Sequence, residues 1–127
     1  MTRFLWICFG GAVGTGARYL VSGWAVRLLG SSFAWGTLAV NLIGSFLLAA
    51  LLHLGTTTEL MNPTLRAALT TGAMGGFTTY STFSYETFHY YQEGAVALGT
   101  ANIAVTVIAC LAGSLLGFLA AQALVGA

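Results

Sequence analysis

The chain has 127 residues, of which 57% are hydrophobic and only 6% charged, with a mean hydropathy of +0.87. Soluble domains carry charge on about a quarter of their residues, so this composition excludes a soluble globular domain and predicts an all-α membrane protein. The charges are Arg3, Arg18, Arg27 and Arg66 against Glu59, Glu86 and Glu93, with no lysine and no aspartate, which leaves no basic surface able to hold nucleic acid by its phosphates.

The first apolar segment runs over 4–29. Its start, MTRFLWICFGGAVGTGA, imitates a signal peptide, but cleavage there would remove the first span, and it reads as a retained helix. GGAVGTGA within it offers a face of small residues for close helix contact, as do Gly113 and Gly117 in the last segment. Arg18 lies deeper than a loop residue; such a group faces a cavity or a partner, and in a wide mouth it would concentrate anions. The second segment, 33–54, carries Thr37, Asn41 and Ser45 at four-residue spacing, an uncharged polar stripe on one helix face. Asn41 either bonds another helix or lines a path.

After the polar loop GTTTELMNPT, which holds the only proline, comes the unusual third segment, 65–91. It contains GGFTTYSTFSYETF, where glycines, hydroxyls, aromatic rings and the carboxylate of Glu86 crowd together in an otherwise apolar chain. Gly75-Gly76 followed by Thr78-Thr79 marks a mid-span point where the helix either opens, with protein or an ion taking up the freed carbonyls, or merely kinks. Beyond it, Tyr80 and Phe83 are three residues apart among Ser81, Thr82 and Ser84. Ring edges carry partial positive charge, so edge-on aromatics and hydroxyl donors together suit an anion; aromatic packing with back-bonded hydroxyls is the plainer alternative. Glu86 either holds a helix end or pairs with an arginine. The fourth segment, 95–125, repeats the polar stripe with Asn102, Thr106, Cys110 and Ser114. Arg27, Arg66 and Glu93 suit the membrane boundary, as do His53 and His89, and Cys8 and Cys110 sit in apolar runs that predict free thiols.

All four segments reach the roughly 20 residues a helix needs to cross the hydrocarbon layer, and the loops are too short for another domain, so residues 1–127 form a single integral membrane domain. No phosphate loop, metal cluster or enzyme site is visible. Both termini share a side with Arg3 and Arg66, while Arg27, and Arg18 within reach, lie opposite; the arginine bias that orients membrane proteins is about one residue or nil. This predicts either dual topology with an antiparallel homodimer or a fixed orientation with a weak signal. A four-helix bundle fills its own core, so a pathway needs a second copy.

GGFTTYSTFSYE, GGAVGTGARY and GTLAVNLIGSF together resemble the bacterial CrcB/Fluc fluoride channels, and the resemblance covers all four spans. It implies a dual-topology antiparallel homodimer in the inner membrane, with the third helix broken and two pores lined by both subunits, that passes fluoride passively out of the cell. By position it makes Asn41 the pore amide, Tyr80 and Phe83 the two aromatic-box rings, and Ser81, Thr82, Ser84, Thr106, Cys110 and Ser114 the polar track. Gly75 and Thr78 would offer backbone carbonyls to one structural sodium ion between the subunits, Arg18 would be the vestibule arginine and Glu86 a structural residue. The family usually has phenylalanine at the position of Tyr80, and a phenol there adds a hydroxyl to the path. Two other classes remain for comparison. A small multidrug exporter of the same size uses a first-span carboxylate, and this first span has none. A non-transporting assembly subunit would leave three polar helix faces unexplained.

Overall fold

In the computed structural model, which describes residues 1–126, the chain folds into helices alone. In order these are α1 (Thr2–Leu29), α2 (Trp35–Thr57), α3 (Pro63–Ala67), a π-helical stretch (Ala68–Met74), α4 (Gly75–Phe77), α5 (Tyr80–Gln92) and α6 (Val96–Val125). Three of them, α1, α2 and α6, are long and apolar enough to cross a membrane. The third apolar segment is divided among the shorter elements from α3 to α5.

Local chemistry sets the ends. Asn62 caps α3, its Oδ1 accepting the Leu65 N–H at 2.8 Å, and Pro63 follows at the first helical position, where its missing donor costs nothing. The turn out of α5 passes through Gly94, whose φ of 77° is open to glycine at no steric cost. Arg66 reaches back so that Nη1 donates to the Gly55 carbonyl at 3.0 Å, placing a cation at the C-terminal end of α2 where the helix dipole favours it.

Glycine decides the packing. A Cβ at Gly10 would collide with the Ala68 carbonyl oxygen, and one at Gly14 with that of Ala73, so α1 lies directly on the π-helical stretch and runs parallel to it. On the other side, Gly113 meets Leu42 and Gly117 meets the backbone of Phe46, so α6 packs as closely on α2. Both glycine faces are therefore occupied within one subunit, and a second copy would have to be met elsewhere. Few large side chains are buried: Val40 and Asn102 are the largest among those fully enclosed, while most leucines, valines and aromatics face outward. Lipid tails are as apolar as these side chains, so helices held by close backbone approach need no thick apolar core.

Asn102, 1% exposed, belongs to this packing rather than to a polar lining. Its Nδ2 donates to Thr87 Oγ1 at 2.9 Å, and its Oδ1 accepts from Thr106 Oγ1 at 3.4 Å. The polar stripe expected on the fourth segment is thus split, its first member joining α6 to α5.

Candidate functional site

The third segment does open, but at the threonines and not at the glycines. Gly75 and Gly76 keep helical geometry in α4, while Thr78 (ψ 159°) and Thr79 (φ −150°, ψ 110°) are extended. Gly76 remains helical because it is needed for contact: a Cβ there would collide with the Gly11 carbonyl oxygen of α1. Two extended residues cannot continue the backbone ladder of a helix, so several N–H and C=O groups are released at once.

Three of the backbone groups at the break are taken up by side chains from other helices. Asn41 pairs both backbone groups of Thr79, its Nδ2 donating to the Thr79 carbonyl at 3.0 Å and its Oδ1 accepting the Thr79 N–H at 2.7 Å. Arg18 Nε donates to the Gly76 carbonyl at 2.9 Å. Thr79 also starts α5, its Oγ1 accepting the Thr82 N–H at 3.2 Å and donating to Thr82 Oγ1 at 2.8 Å. Among the described residues, no side chain meets the carbonyls of Gly75, Phe77 and Thr78 or the N–H groups of Tyr80 and Ser81, and the extended backbone of Thr78 and Thr79 takes these groups out of the i→i+4 ladder. The opened turn therefore presents free carbonyls from its first half and free amides from its second. Free carbonyl oxygens suit a hard cation; the N-terminal end of α5 carries partial positive charge, which suits an anion.

Beside the break lies a groove of about 390 Å³ between α2, α5 and α6, lined by Asn41, Ser45, Thr78, Tyr80, Phe83, Thr106 and Cys110 together with apolar residues such as Leu48 and Val107. The Tyr80 and Phe83 ring centroids are 5.8 Å apart with planes inclined at 60°, so the pair offers edges as well as faces to its surroundings. Tyr80 is 79% exposed on the single subunit. No ionised side chain lines the groove.

Other residues singled out from the sequence fall outside the groove lining. Ser81 and Ser84 are exposed on the outer side of α5, Thr82 belongs to the cap made by Thr79, and Ser114 donates from α6 to the Ser45 carbonyl at 3.4 Å. Glu86 neither pairs with an arginine nor caps a helix end; it accepts a hydrogen bond from Thr37 Oγ1, joining α5 to α2. Arg18 contributes to a separate groove of about 610 Å³ with Thr15, Tyr19, Ser22 and Arg27. His53 packs edge-on against Phe118 with ring centroids 4.8 Å apart, whereas His89 lies 3.4 Å from Glu93 at the end of α5. Both cysteines are free. The residue that sequence reading undervalued is Thr79, which caps α5 and gives its peptide to Asn41; a threonine three residues before a second hydroxyl at a helix start is the signal that points to it.

The sequence model of the family described as CrcB-like protein, Camphor Resistance (CrcB), matches residues 5–118. Among curated relatives, the chain is similar to a protein of Sorangium cellulosum named fluoride-specific ion channel FluC, with 51% identity over 98% of each chain. Proteins of the same name from Anaeromyxobacter dehalogenans and Geobacter sulfurreducens are each 47% identical, the first over 99% of this chain and 100% of its own, the second over 98% and 100%.

Proposed function

As the chain belongs to the CrcB family, we propose that it is a fluoride-selective channel, not an enzyme, that lets fluoride leave the cytoplasm passively through a bacterial inner membrane. The observation that carries this reading is the groove, which gathers Asn41, Tyr80, Phe83, Thr106 and Cys110 beside a helix break without any ionised side chain. Fluoride holds water strongly, so a path for it must replace many weak donors at once and still let go. Ring edges, the amide of Asn41, hydroxyls and the free amides at the start of α5 supply weak donors in number, and a guanidinium at the same place would hold the ion too long. Ser81, Thr82, Ser84 and Ser114 extend this track beyond the groove. Neutral hydrogen fluoride that enters the cell ionises there, and the membrane potential, about 2.3 kcal/mol per charge per 100 mV, drives the trapped anion outward through an open path.

In this reading the 127 residues form one integral membrane domain with four crossings, and the working unit is an antiparallel homodimer of dual topology with two pores. Thr71, Gly75, Ser81 and Ser84 are exposed along the third segment, a hydroxyl-bearing face that lipid tails leave without partners and a second copy would cover. One structural sodium ion at the subunit interface fits the same face, with the free carbonyls of Gly75 and Thr78 as its ligands. Bound there, the ion would neutralise the partial negative charge at the end of α4.

The test is fluoride efflux from liposomes holding the purified protein, read with a fluoride electrode beside a chloride assay. Rapid fluoride release with no chloride release is expected, together with a loss of at least tenfold in Phe83→Ile and undiminished release in Tyr80→Phe. Equal release of both halides, or none in either the native chain or Tyr80→Phe, would remove the channel reading.

A further inference from the structure

Gly11, Thr15 and Arg18 stand at i, i+4 and i+7 and form one face of α1. Gly76 rests on the first two: a Cβ at Gly76 would strike the Gly11 carbonyl oxygen and lie 3.0 Å from Thr15 Oγ1. Because α1 and residues 63–77 run parallel, with Gly10 beside Ala68 and Gly14 beside Ala73 and Phe77, Arg18 arrives one turn further on, at the C-terminal end of that helical stretch. There its Nε takes the Gly76 carbonyl. In an unbroken helix that carbonyl would accept the Tyr80 N–H. The bond from Arg18 occupies it instead, and Asn41 holds the Thr79 peptide from the opposite helix.

From this geometry we infer that Arg18 is a positioning residue: through its Nε–H it keeps the third-segment break open, beyond any attraction its charge exerts on anions. The inference rests on the channel reading insofar as the break must lie beside the fluoride path. Two tethers from two helices hold the extended pair from both sides, Arg18 on Gly76, two residues before it, and Asn41 on the pair itself. With Gly76 left free, rewinding the helix through the Tyr80 N–H would pair that carbonyl and that amide with each other, a gain wherever an unpaired backbone group is costly. Rewinding would turn Tyr80 away from the groove and pull the Thr79 peptide off Asn41.

The side chain separates geometry from charge, because citrulline keeps the Nε–H of arginine and lacks its charge, whereas lysine keeps the charge and has no donor at that position. Dimeric protein with citrulline incorporated at position 18, and the Arg18→Lys variant, would be compared with the native chain in two measurements: fluoride efflux from liposomes and hydrogen exchange at the Thr79 amide. The expected result is flux and amide protection within about threefold of native for citrulline, and a loss of at least tenfold in both for Arg18→Lys. Retention by lysine with loss by citrulline would make Arg18 a mouth charge only and overturn the inference, as would equal behaviour of the two variants. If neither the native chain nor Tyr80→Phe passes fluoride, the channel reading fails by itself, and the Thr79 exchange rates still decide the role of Arg18.

Discussion

Asn41→Leu is expected to reduce fluoride flux by more than tenfold and to lower stability by about 2–4 kcal/mol, because one substitution orphans both the N–H and the C=O of Thr79. Leucine fills nearly the same volume, so the loss would come from polarity and not from a cavity. Each unpaired backbone group away from water costs about 1–3 kcal/mol, and the partial exposure of this site places the sum in the lower half of the range. The same amide is the only side-chain amide lining the groove, so flux and stability should fall together. Thermal unfolding in detergent, read beside liposome efflux, checks both. A variant of native stability and native flux would show that the Thr79 peptide needs no partner and that the groove is not the path.

The second large effect is expected at Gly14→Ala. The added methyl would meet the Ala73 carbonyl, which is backbone and cannot swing aside, and would also crowd the Phe77 N–H within 3.0 Å. Overpacking of this kind costs about 1–3 kcal/mol when side chains can yield, and here only a shift of the whole helix relieves it. Moving α1 off the third segment would also carry Arg18 away from Gly76 and disturb the break. Gly16→Ala is the matched control: nothing lies within 4 Å of its Cβ position, and alanine is the better helix former by about 1 kcal/mol. The expectation is a monodisperse, equally or more stable Gly16→Ala protein beside a Gly14→Ala protein that unfolds or aggregates on purification. Equal stability of the two would mean that α1 does not lie against the π-helical stretch as described.

Much was legible in the sequence because it is a matter of local composition. Membrane location, helical class, the apolar segments and the polar residues placed among them follow from hydropathy and from the four-residue spacing of Thr37, Asn41 and Ser45, which any helix puts on one face. The motif around GGFTTYSTF was enough to point to the family, and the family match over residues 5–118 agrees with it. What the tertiary structure alone decided is which residues answer one another. Thr78 and Thr79 opened in place of the glycines because Gly76 is held helical by its contact with α1. Asn102 looked like a member of the polar stripe and became a bond between helices, since Thr87 faces it across the hairpin. Asn41 found Thr79 38 residues away and Arg18 found Gly76 58 residues away. A hydrogen bond needs a partner within about 3 Å, and helices decide that distance only when they pack.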